Sequence, residues 1–439
     1  MTFQSRKTPY RTHNFKQAGL LKVLAPGKYA GRVFDTKISG NTLQICIFLE
    51  EAYYEFYSDK IEKVQCGELL VFEVDADGKF TPIESLYASR APLKANGDVL
   101  RWRKPGQPIS RMQRLRQRHH ILQKIRAHLD QHDFLEVDTP VLVKAPSPES
   151  QFTPFSTKSN FLITSPEFQM KRLLVGGFEK IYQLTPCFRD REISNSHNPE
   201  FTMLEWYRAY DSLETIAEDL QQLVTEAAKV IPQIENGCLH TGSSQIQLYR
   251  VGKGFSWKRC SVAELFEQHL NLDIEQATSA EILREIAVSK GYGAEVENLP
   301  ICYEQIFFRL WHRFEAQLGQ DVPVLIYDWP APLASLAQIR KDKPTVAERV
   351  ELYVAGMELA NGFGELTDPI EQRMRFKKNL SERQRNKQPV VPLDNAFLEG
   401  LEQGMPPSAG MALGLDRLVM LLTGASHIRD VLCFSYDER

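Results

Sequence analysis

The segment FRDRE at residues 188–192, with SHNPEFTMLEWY at residues 196–207, is the stretch that decides the fold. Its two ends lie in predicted strands, and the polar turn between them contains arginine, histidine, asparagine and several carboxylates. Glu205 and Tyr207 are two residues apart, so their side chains share one face of the second strand. An exposed hairpin with charged ladders would show a similar pattern. Because the flanking strands contain apolar residues such as Ile181, however, the charges are predicted to line a cleft.

Strands and helices surround this hairpin without a regular βαβ alternation. Apolar residues recur at helical spacing over residues 110–132, and Asp211 and Ser261 open two further predicted helices. Strand clusters flanked by helices predict the α+β class with a mostly antiparallel sheet. The predicted strands of this part cover residues 161–164, 180–188, 201–207, 323–327 and 350–359.

The N-terminal part of the chain has a different character. Residues 1–27 are predicted to form a basic arm. Residues 28–90 contain five short β-rich segments separated by Gly, Asn and Asp turns, which predicts a small all-β barrel domain at residues 28–100. The remaining residues, 101–439, are predicted to form a larger second domain.

Composition excludes several classes of protein. The 439 residues contain 53 Lys and Arg against 56 Asp and Glu, a net charge of −3, so the chain does not bind nucleic acid through bulk positive charge, although a local basic face remains open. Its seven cysteines include no C-x-x-C pair, which argues against a disulfide framework or a zinc site and favours the cytoplasm. No apolar run has the length of a membrane span, about 18 residues. P-loop, H-E-x-x-H and G-x-S-x-G motifs are also missing.

The hairpin resembles motif 2 of the class II aminoacyl-tRNA synthetases, in the lysyl, aspartyl and asparaginyl group. The predicted helix at 110–132 with FLEVDTP at 134–140 is similar to motif 1, and GMALGLDRL at 410–418 is similar to motif 3. Between them, GMELANGFGEL at 356–366 resembles the lysyl-type pocket strand. The resemblance covers residues 110–439. It implies an antiparallel sheet flanked by helices. The five-strand pattern of the N-terminal part separately resembles the OB-fold that reads anticodons in lysyl-tRNA synthetases, so the barrel is expected to be OB-like.

A narrower resemblance is to the paralogues of lysyl-tRNA synthetase that attach (R)-β-lysine to elongation factor P. It rests on residues 165–174, 197–208 and 358–365 and on Ala412, where lysyl enzymes usually carry glycine. It implies ATP-dependent activation of lysine or β-lysine as an adenylate, transfer to a lysine side chain of elongation factor P, and a homodimer. Aminoacylation of tRNA, with the barrel gripping an anticodon, and a non-catalytic paralogue stay open as alternatives.

The resemblance also implies a set of site residues, with ATP as a substrate and Mg²⁺ as the cofactor. Arginine forks match pairs of phosphate oxygens, and a pocket for a cationic amine needs a carboxylate. Arg189 and Arg417 are the expected catalytic residues, and they bind ATP with His197, Asn198, Phe201, Glu358, Leu359 and Gly414. The expected amino-acid-binding residues are Ser165, Glu167, Tyr207, Asn361, Glu365 and Ala412, and the expected metal ligands are Glu358 and Glu365.

Two features of the sequence depart from a simple site. Glu358 and Glu365 are seven residues apart, so a regular strand would put them on opposite faces, and a bulge or bend at Gly362 or Gly364 would be needed to bring them together. Arg191 stands where the family pattern has glutamate. Either the hairpin shifts by one residue, or Asp190 or Glu192 substitutes, or activation is weakened.

Overall fold

The computed structural model describes residues 12–13, 21–22, 24–39, 42–49, 52–58, 64–87, 102, 109–149, 151–241, 244–249 and 256–439. The chain divides into two compact units, residues 1–116 and 117–439. Most of the predicted arm at 1–27 and the predicted boundary at residue 100 lie outside the described residues, so this division into domains stays a prediction.

The first unit contains a five-stranded antiparallel sheet with the order β5-β4-β3-β6-β7. Alternate residues of these strands, among them Val33, Ile45, Ile47 and Phe72, are buried in one small core, as expected for a sheet with one covered face. This sheet agrees with the predicted OB-like region. Its strands are β3 (Gly27–Ser39), β4 (Thr42–Leu49), β5 (Ala52–Ser58), β6 (Leu69–Val74) and β7 (Phe80–Tyr87). The short strands β1 (Thr12–His13) and β2 (Leu21–Lys22) pair with each other in a separate two-stranded sheet.

The second unit is built on an eight-stranded sheet with the order β16-β17-β20-β21-β22-β13-β12-β8. All its pairs are antiparallel except β16 with β17 and β12 with β8. The strands of this unit are β8 (Leu135–Glu136), β9 (Leu142–Val143), β10 (Ser156–Thr157), β11 (Asn160–Leu162), β12 (Lys180–Phe188), β13 (Glu200–Ala209), β14 (Cys238–Thr241), β15 (Ser244–Gln247), β16 (Lys258–Ser261), β17 (Val324–Tyr327), β18 (Trp329–Pro330), β19 (Val346–Ala347), β20 (Arg349–Val354), β21 (Met357–Gly364) and β22 (Ser408–Gly414).

Helices flank this sheet, so the predicted α+β class with a mostly antiparallel sheet is confirmed. None of the described helices is long and apolar enough to cross a bilayer. The helices are α1 (Arg111–Gln131), α2 (Glu167–Val175), α3 (Leu213–Lys229), α4 (Val262–Leu270), α5 (Ala280–Ala287), α6 (Gly293–Val296), α7 (Tyr303–Trp311), α8 (Pro369–Arg385), α9 (Asn395–Gly404) and α10 (Leu415–Leu422).

The two faces of the large sheet have opposite characters. On one face, Leu204, Trp206, Met411 and Leu413 pack in the same core as the apolar side of α3, which begins at the N-cap Ser212. Because side chains alternate along a strand, the intervening residues of β13 and β22 point to the other face. That second face is polar, and it forms the floor of the cavity described next.

Candidate active site

A single row of side chains crosses five strands of the sheet. The strand registers pair Gln183 with Glu205, Glu205 with Ala412, Ala412 with Asn361, and Asn361 with Glu351. The Oδ1 atom of Asn361 is buried and accepts no hydrogen bond from any described residue. The row therefore presents carboxylates and a free amide oxygen on one face of the sheet.

Above this floor lies a cavity of about 740 Å³. Its walls come from the β12–β13 hairpin, the residues that follow β11, helix α7 and the start of α10. Tyr207 and Glu365 lie behind its wall. All the other predicted site residues line it: Ser165, Glu167, Arg189, His197, Asn198, Phe201, Glu358, Leu359, Asn361, Ala412, Gly414 and Arg417.

Arg189 is held by aromatic rings at the hairpin. Its guanidinium carbon lies 3.8 Å from the centroid of the Phe152 ring and 5.0 Å from that of Phe201. The Nε atom donates to the carbonyl of Thr164 at 3.4 Å, and Nη1 lies 3.9 Å from a Glu192 oxygen. Among the described residues, only Nε of this guanidinium donates a hydrogen bond, so its remaining N–H groups are available to an anion in the cavity.

Arg417 reaches the same cavity from the first turn of α10. Its Nη1 donates to the carbonyl of Glu358 at 2.8 Å, and its Nη2 contacts Nε2 of His197. Burial first, and then the charges of Arg417 and Arg189, lower the pKa of His197 to about 4. The imidazole is thus neutral near pH 7. Arg189, Arg417 and His197 all line the same cavity.

Asp416 joins the elements that carry all three motifs. It is buried, and its carboxylate accepts a hydrogen bond from the Thr202 N–H at 2.7 Å and pairs with Arg118 of α1. Arg118 in turn donates to the Thr202 hydroxyl at 2.9 Å. Sequence reasoning did not select Asp416 or Arg118, although a charged residue inside the apolar run 413–422 is the signal that would have found Asp416.

Asn198 was expected to bind ATP, but its amide group is already engaged within the protein. Its Nδ2 donates to the carbonyl of Glu200 at 2.5 Å, and its Oδ1 accepts from the N–H of Tyr436 at 3.0 Å. The residue is also buried. Asn198 therefore links the hairpin to the C-terminal residues, and because it also lines the cavity, its expected contact with ATP stays a prediction.

Three glutamates, one of which is Glu205 of the row, lie together with one lysine among them. The Lys171 ammonium is fully buried and lies 2.5 Å from Glu167 Oε1 and 2.5 Å from Glu365 Oε2. Glu205 accepts from the Ser165 hydroxyl at 2.9 Å and from the Tyr207 hydroxyl. With every group ionised, this cluster has two more negative charges than positive ones.

Burial makes these carboxylates hard to ionise. It raises the pKa of Glu205 to about 8, and the charge of Glu167 adds to the rise. It also raises the pKa of Glu365 to about 8, against the opposing effect of Lys171. The pKa of Glu167 is raised for the same first cause. A second buried cation in this place would offset that cost.

Tyr207 and Glu365 both pack against the backbone of Gly410, which has no side chain to block them. A Cβ atom on Gly410 would lie 2.2 Å from the Tyr207 ring and 2.7 Å from Glu365 Oε1. Only a glycine leaves room for both side chains. Tyr207 was expected to bind the amino acid, and the structure instead places its hydroxyl on Glu205, from behind the wall.

The expected metal pair is not brought together. Glu365 is buried against Lys171, whereas Glu358 is partly exposed in the cavity. A bulge does occur in β21, but at Leu359 instead of the two glycines: Leu352 pairs with Ala360 and Tyr353 pairs with Glu358, which leaves Leu359 as the extra residue. The bulge turns Glu358 to the face of the polar row.

Glu351 is the carboxylate that accompanies Glu358. Both carboxylates line the cavity, and Tyr353, two residues along β20 from Glu351, pairs with Glu358. Burial raises the pKa of Glu351 to about 8, with its ion-pair partner Arg349 opposing the rise and Glu358 adding to it. Mg²⁺ binds one or two protein carboxylates and completes its shell with water and phosphate oxygens. Glu351 and Glu358 fit that requirement. Within the described residues, no group of three or more His, Cys, Asp or Glu forms a metal cluster.

Arg191 does not enter the cavity. It adopts a left-handed backbone conformation with φ of 67°, and its side chain is 85% exposed. This turn directs Glu192 to the cavity wall, where it lies near Arg189. The geometry favours the interpretation that Glu192 takes the place of the glutamate that the family pattern has at the position of Arg191.

Comparisons with known proteins give the following relatives. The model of the family "tRNA synthetases class II (D, K and N)" matches residues 100–438. A protein of Erwinia tasmaniensis called elongation factor P–(R)-β-lysine ligase is 37% identical over 344 residues, which are 76% of this chain and 98% of that protein. Its namesake in Klebsiella pneumoniae is 36% identical with the same coverage. A lysine–tRNA ligase of Moorella thermoacetica is 37% identical over 324 residues, 72% of this chain and 63% of that enzyme.

Proposed function

The chain belongs to the family of class II tRNA synthetases (D, K and N), and on that premise we propose that it activates lysine or β-lysine with ATP and transfers it to a lysine side chain of elongation factor P. One observation carries the proposal. A buried cluster of three glutamates with only one lysine partner among the described residues lies beside two arginines that line one cavity. The cluster suits a diamino acid, and the arginines suit a triphosphate.

In the first step, a carboxylate oxygen of the amino acid attacks the α-phosphorus of ATP and pyrophosphate leaves. Negative charge grows on phosphate oxygens in the transition state, so positioning and charge stabilisation supply most of the catalysis. Arg189 holds the α-phosphate, and Arg417 holds the terminal phosphates. Neutral His197 keeps Arg417 in place, and Phe201 stacks on the adenine. Leu359 and Gly414 line the nucleotide side without bulky polar groups.

Glu351 and Glu358 would hold Mg²⁺, which supplies charge neutralisation to the phosphates when bound. We expect Glu358→Gln to raise the Mg²⁺ concentration that gives half-maximal pyrophosphate exchange by about tenfold, since ligand sets of metals respond on that scale. A titration of exchange with Mg²⁺ measures this. Glu315→Gln removes another carboxylate of the same cavity and should leave the midpoint unchanged. An unaltered midpoint in Glu358→Gln would contradict the assignment.

The amino acid is recognised by the buried cluster. When the side-chain amine binds, its positive charge favours loss of the protons from the carboxyl groups of Glu205 and Glu365. Asn361 and Ser165 supply neutral hydrogen bonds. Ala412 bounds the pocket where a glycine would leave more space. Lysine and its isomers fit better than an acidic amino acid, which would need an arginine or lysine without partners here.

Proton release on binding follows from the raised pKa values. Glu205 and Glu365 bind protons more tightly in the folded protein than in the unfolded chain, so their contribution to stability is complete below about pH 4.5 and is lost as pH rises through about 8. A bound cation reverses this preference, so affinity for lysine should rise by up to about tenfold per pH unit between pH 6 and 8. Calorimetry in buffers of different ionisation enthalpy should show about one proton released. Norleucine, which lacks the second amine, is the control, and buffer-independent heats for lysine would contradict the prediction.

The test of the function has two stages. Pyrophosphate exchange with a panel of amino acids asks whether lysine or β-lysine is activated, and a chain that activates neither is a non-catalytic paralogue. Incubation with labelled amino acid and either elongation factor P or total tRNA then identifies the acceptor. Label on tRNA alone would replace the proposal with the second candidate, a lysine–tRNA ligase.

That second candidate has one specific observation in its favour. Tyr57 and Tyr87 are exposed aromatic residues on the strands β5 and β7 of the first unit, and exposed rings on such a sheet can stack on bases. Elongation factor P remains the preferred acceptor, because the relatives with that name are matched over nearly their whole length.

The remaining proposals concern organisation. We divide the chain into an arm at 1–27, an OB-like domain at 28–100 and a catalytic domain at 101–439. A homodimer through residues 110–140 is expected from the family, and Leu135, on the edge strand β8, is an exposed apolar residue there. A cytoplasmic location agrees with the seven cysteines, which include no C-x-x-C pair.

A further inference from the structure

A buried arginine lies on the C-terminal half of α8, outside the cavity. Arg383 is fully buried, and within the described part of the chain no carboxylate forms an ion pair with it. Its guanidinium donates instead to three backbone carbonyls: those of Pro389 at 3.0 Å, Glu149 at 2.6 Å and Phe152 at 2.9 Å. A buried charge without a counter-ion is costly, so losing any of these hydrogen bonds would be unfavourable. The Arg383 guanidinium therefore fixes the positions of the three carbonyl groups.

Two of those carbonyls belong to residues that line the cavity. Phe152 lays its ring on the guanidinium of Arg189 at 3.8 Å. Glu149 accepts a hydrogen bond from the Ser335 hydroxyl on the facing rim. The contact from Arg383 to Arg189 thus passes through one residue, Phe152.

The same helix also holds the facing rim. Arg375, two turns before Arg383, donates to the carbonyls of Ser335 and Ala337, each at 2.7 Å. Two arginines of helix α8 therefore donate hydrogen bonds to backbone carbonyls on both rims of the cavity. The two arginines differ in their partners. Arg375 forms an ion pair with Glu371, whereas the hydrogen bonds described for Arg383 all go to backbone carbonyls.

We propose that Arg383 is a positioning residue for ATP: by fixing the backbone of Glu149 and Phe152, it holds the Phe152 ring against Arg189 and keeps the α-phosphate fork in its binding orientation. This inference rests on the proposed function for the identity of the nucleotide. Arg383 touches neither substrate, and its effect reaches ATP through Phe152.

The experiment measures the dissociation constant of ATP by calorimetry, together with pyrophosphate exchange. Arg383→Lys, which keeps the charge but loses the fork, should weaken ATP binding by about tenfold, because one donor cannot reach three carbonyls. Arg383→Met should weaken it further. The dissociation constant of lysine should change by less than about twofold. Arg385→Met, on the exposed side of the same helix, should bind ATP as the unmodified chain does.

A double-mutant cycle separates positioning from general damage. In a Phe152→Ala background, Arg383→Lys should have less than about a twofold effect on ATP binding, because the residue through which it acts is gone. A full tenfold effect in that background, or ATP binding in Arg383→Lys equal to that of the unmodified chain, would overturn the inference. An unmodified chain that binds ATP but exchanges no pyrophosphate would sink the proposed function alone, since the binding cycle still reports on Arg383.

Discussion

Replacing Arg189 with alanine should lower pyrophosphate exchange by about a thousandfold or more, the scale on which a transition-state arginine acts in phosphoryl transfer. Arg189 presents its fork to the cavity and makes one long hydrogen bond, to the Thr164 carbonyl at 3.4 Å. Its loss therefore removes stabilisation of the reacting phosphate while leaving few internal contacts broken. The thermal midpoint of the variant should stay close to that of the unmodified chain.

Arg191→Ala is the matched control for this prediction. It removes the same charge two residues away, from a side chain that is 85% exposed and outside the cavity. Exchange, which needs no acceptor, should be unchanged. Arg189→Lys should recover only part of the rate, because an ammonium cannot make the two parallel bonds of a guanidinium. Full exchange in Arg189→Ala would mean that the hairpin does not hold the α-phosphate.

Lys171→Met should destabilise the fold by about 3 to 5 kcal/mol near pH 8, the range found when one partner of a buried ion pair is removed. The variant leaves Glu167, Glu205 and Glu365 buried together without a cation. Their protonated forms are then favoured even more strongly in the folded state. The loss should therefore be smaller at pH 5.5, where protonation is easy, and larger as pH rises toward 8 and above.

Urea unfolding of Lys171→Met at pH 5.5 and pH 8 measures this difference. Lys378→Met, which removes an exposed lysine of α8, should cost less than about 0.5 kcal/mol at either pH. Equal losses at the two pH values would show that the lysine acts through packing alone. The unmodified chain should bind lysine, and Lys171→Met should bind it more weakly if the variant folds, because the cluster loses its arrangement.

The parts that sequence reasoning predicted well depend on local pattern. The hairpin at 188–207 combines apolar strands with a polar turn, and this predicted a cleft before any tertiary contact was known. Three ordered segments around it predicted the sheet and the family. Both are confirmed, and Arg189, Arg417 and the neutral His197 line the same cavity. Their roles toward ATP stay predictions.

The parts that it missed depend on contacts between distant segments. Glu167 and Lys171 have the i, i+4 spacing of an ordinary surface ion pair, and only the third partner, Glu365, makes the lysine a buried one. Asn198 looks like a free polar group until Tyr436 is brought to it. The need for a bulge between Glu358 and Glu365 was recognised, but strand alternation alone could not locate it at Leu359, nor identify Glu351 as the partner of Glu358.

The row from Gln183 to Glu351 limits how such a pocket can evolve. Its five residues come from five strands, and they meet only because the register of each strand points that residue to the same face of the sheet. Inserting or deleting one residue in any of these strands would turn the side chain of its row residue into the apolar core. An apolar side chain from the next position would then face the pocket. New specificities must therefore arise by exchanging one side chain for another in place, while changes in length are confined to the connections outside the sheet.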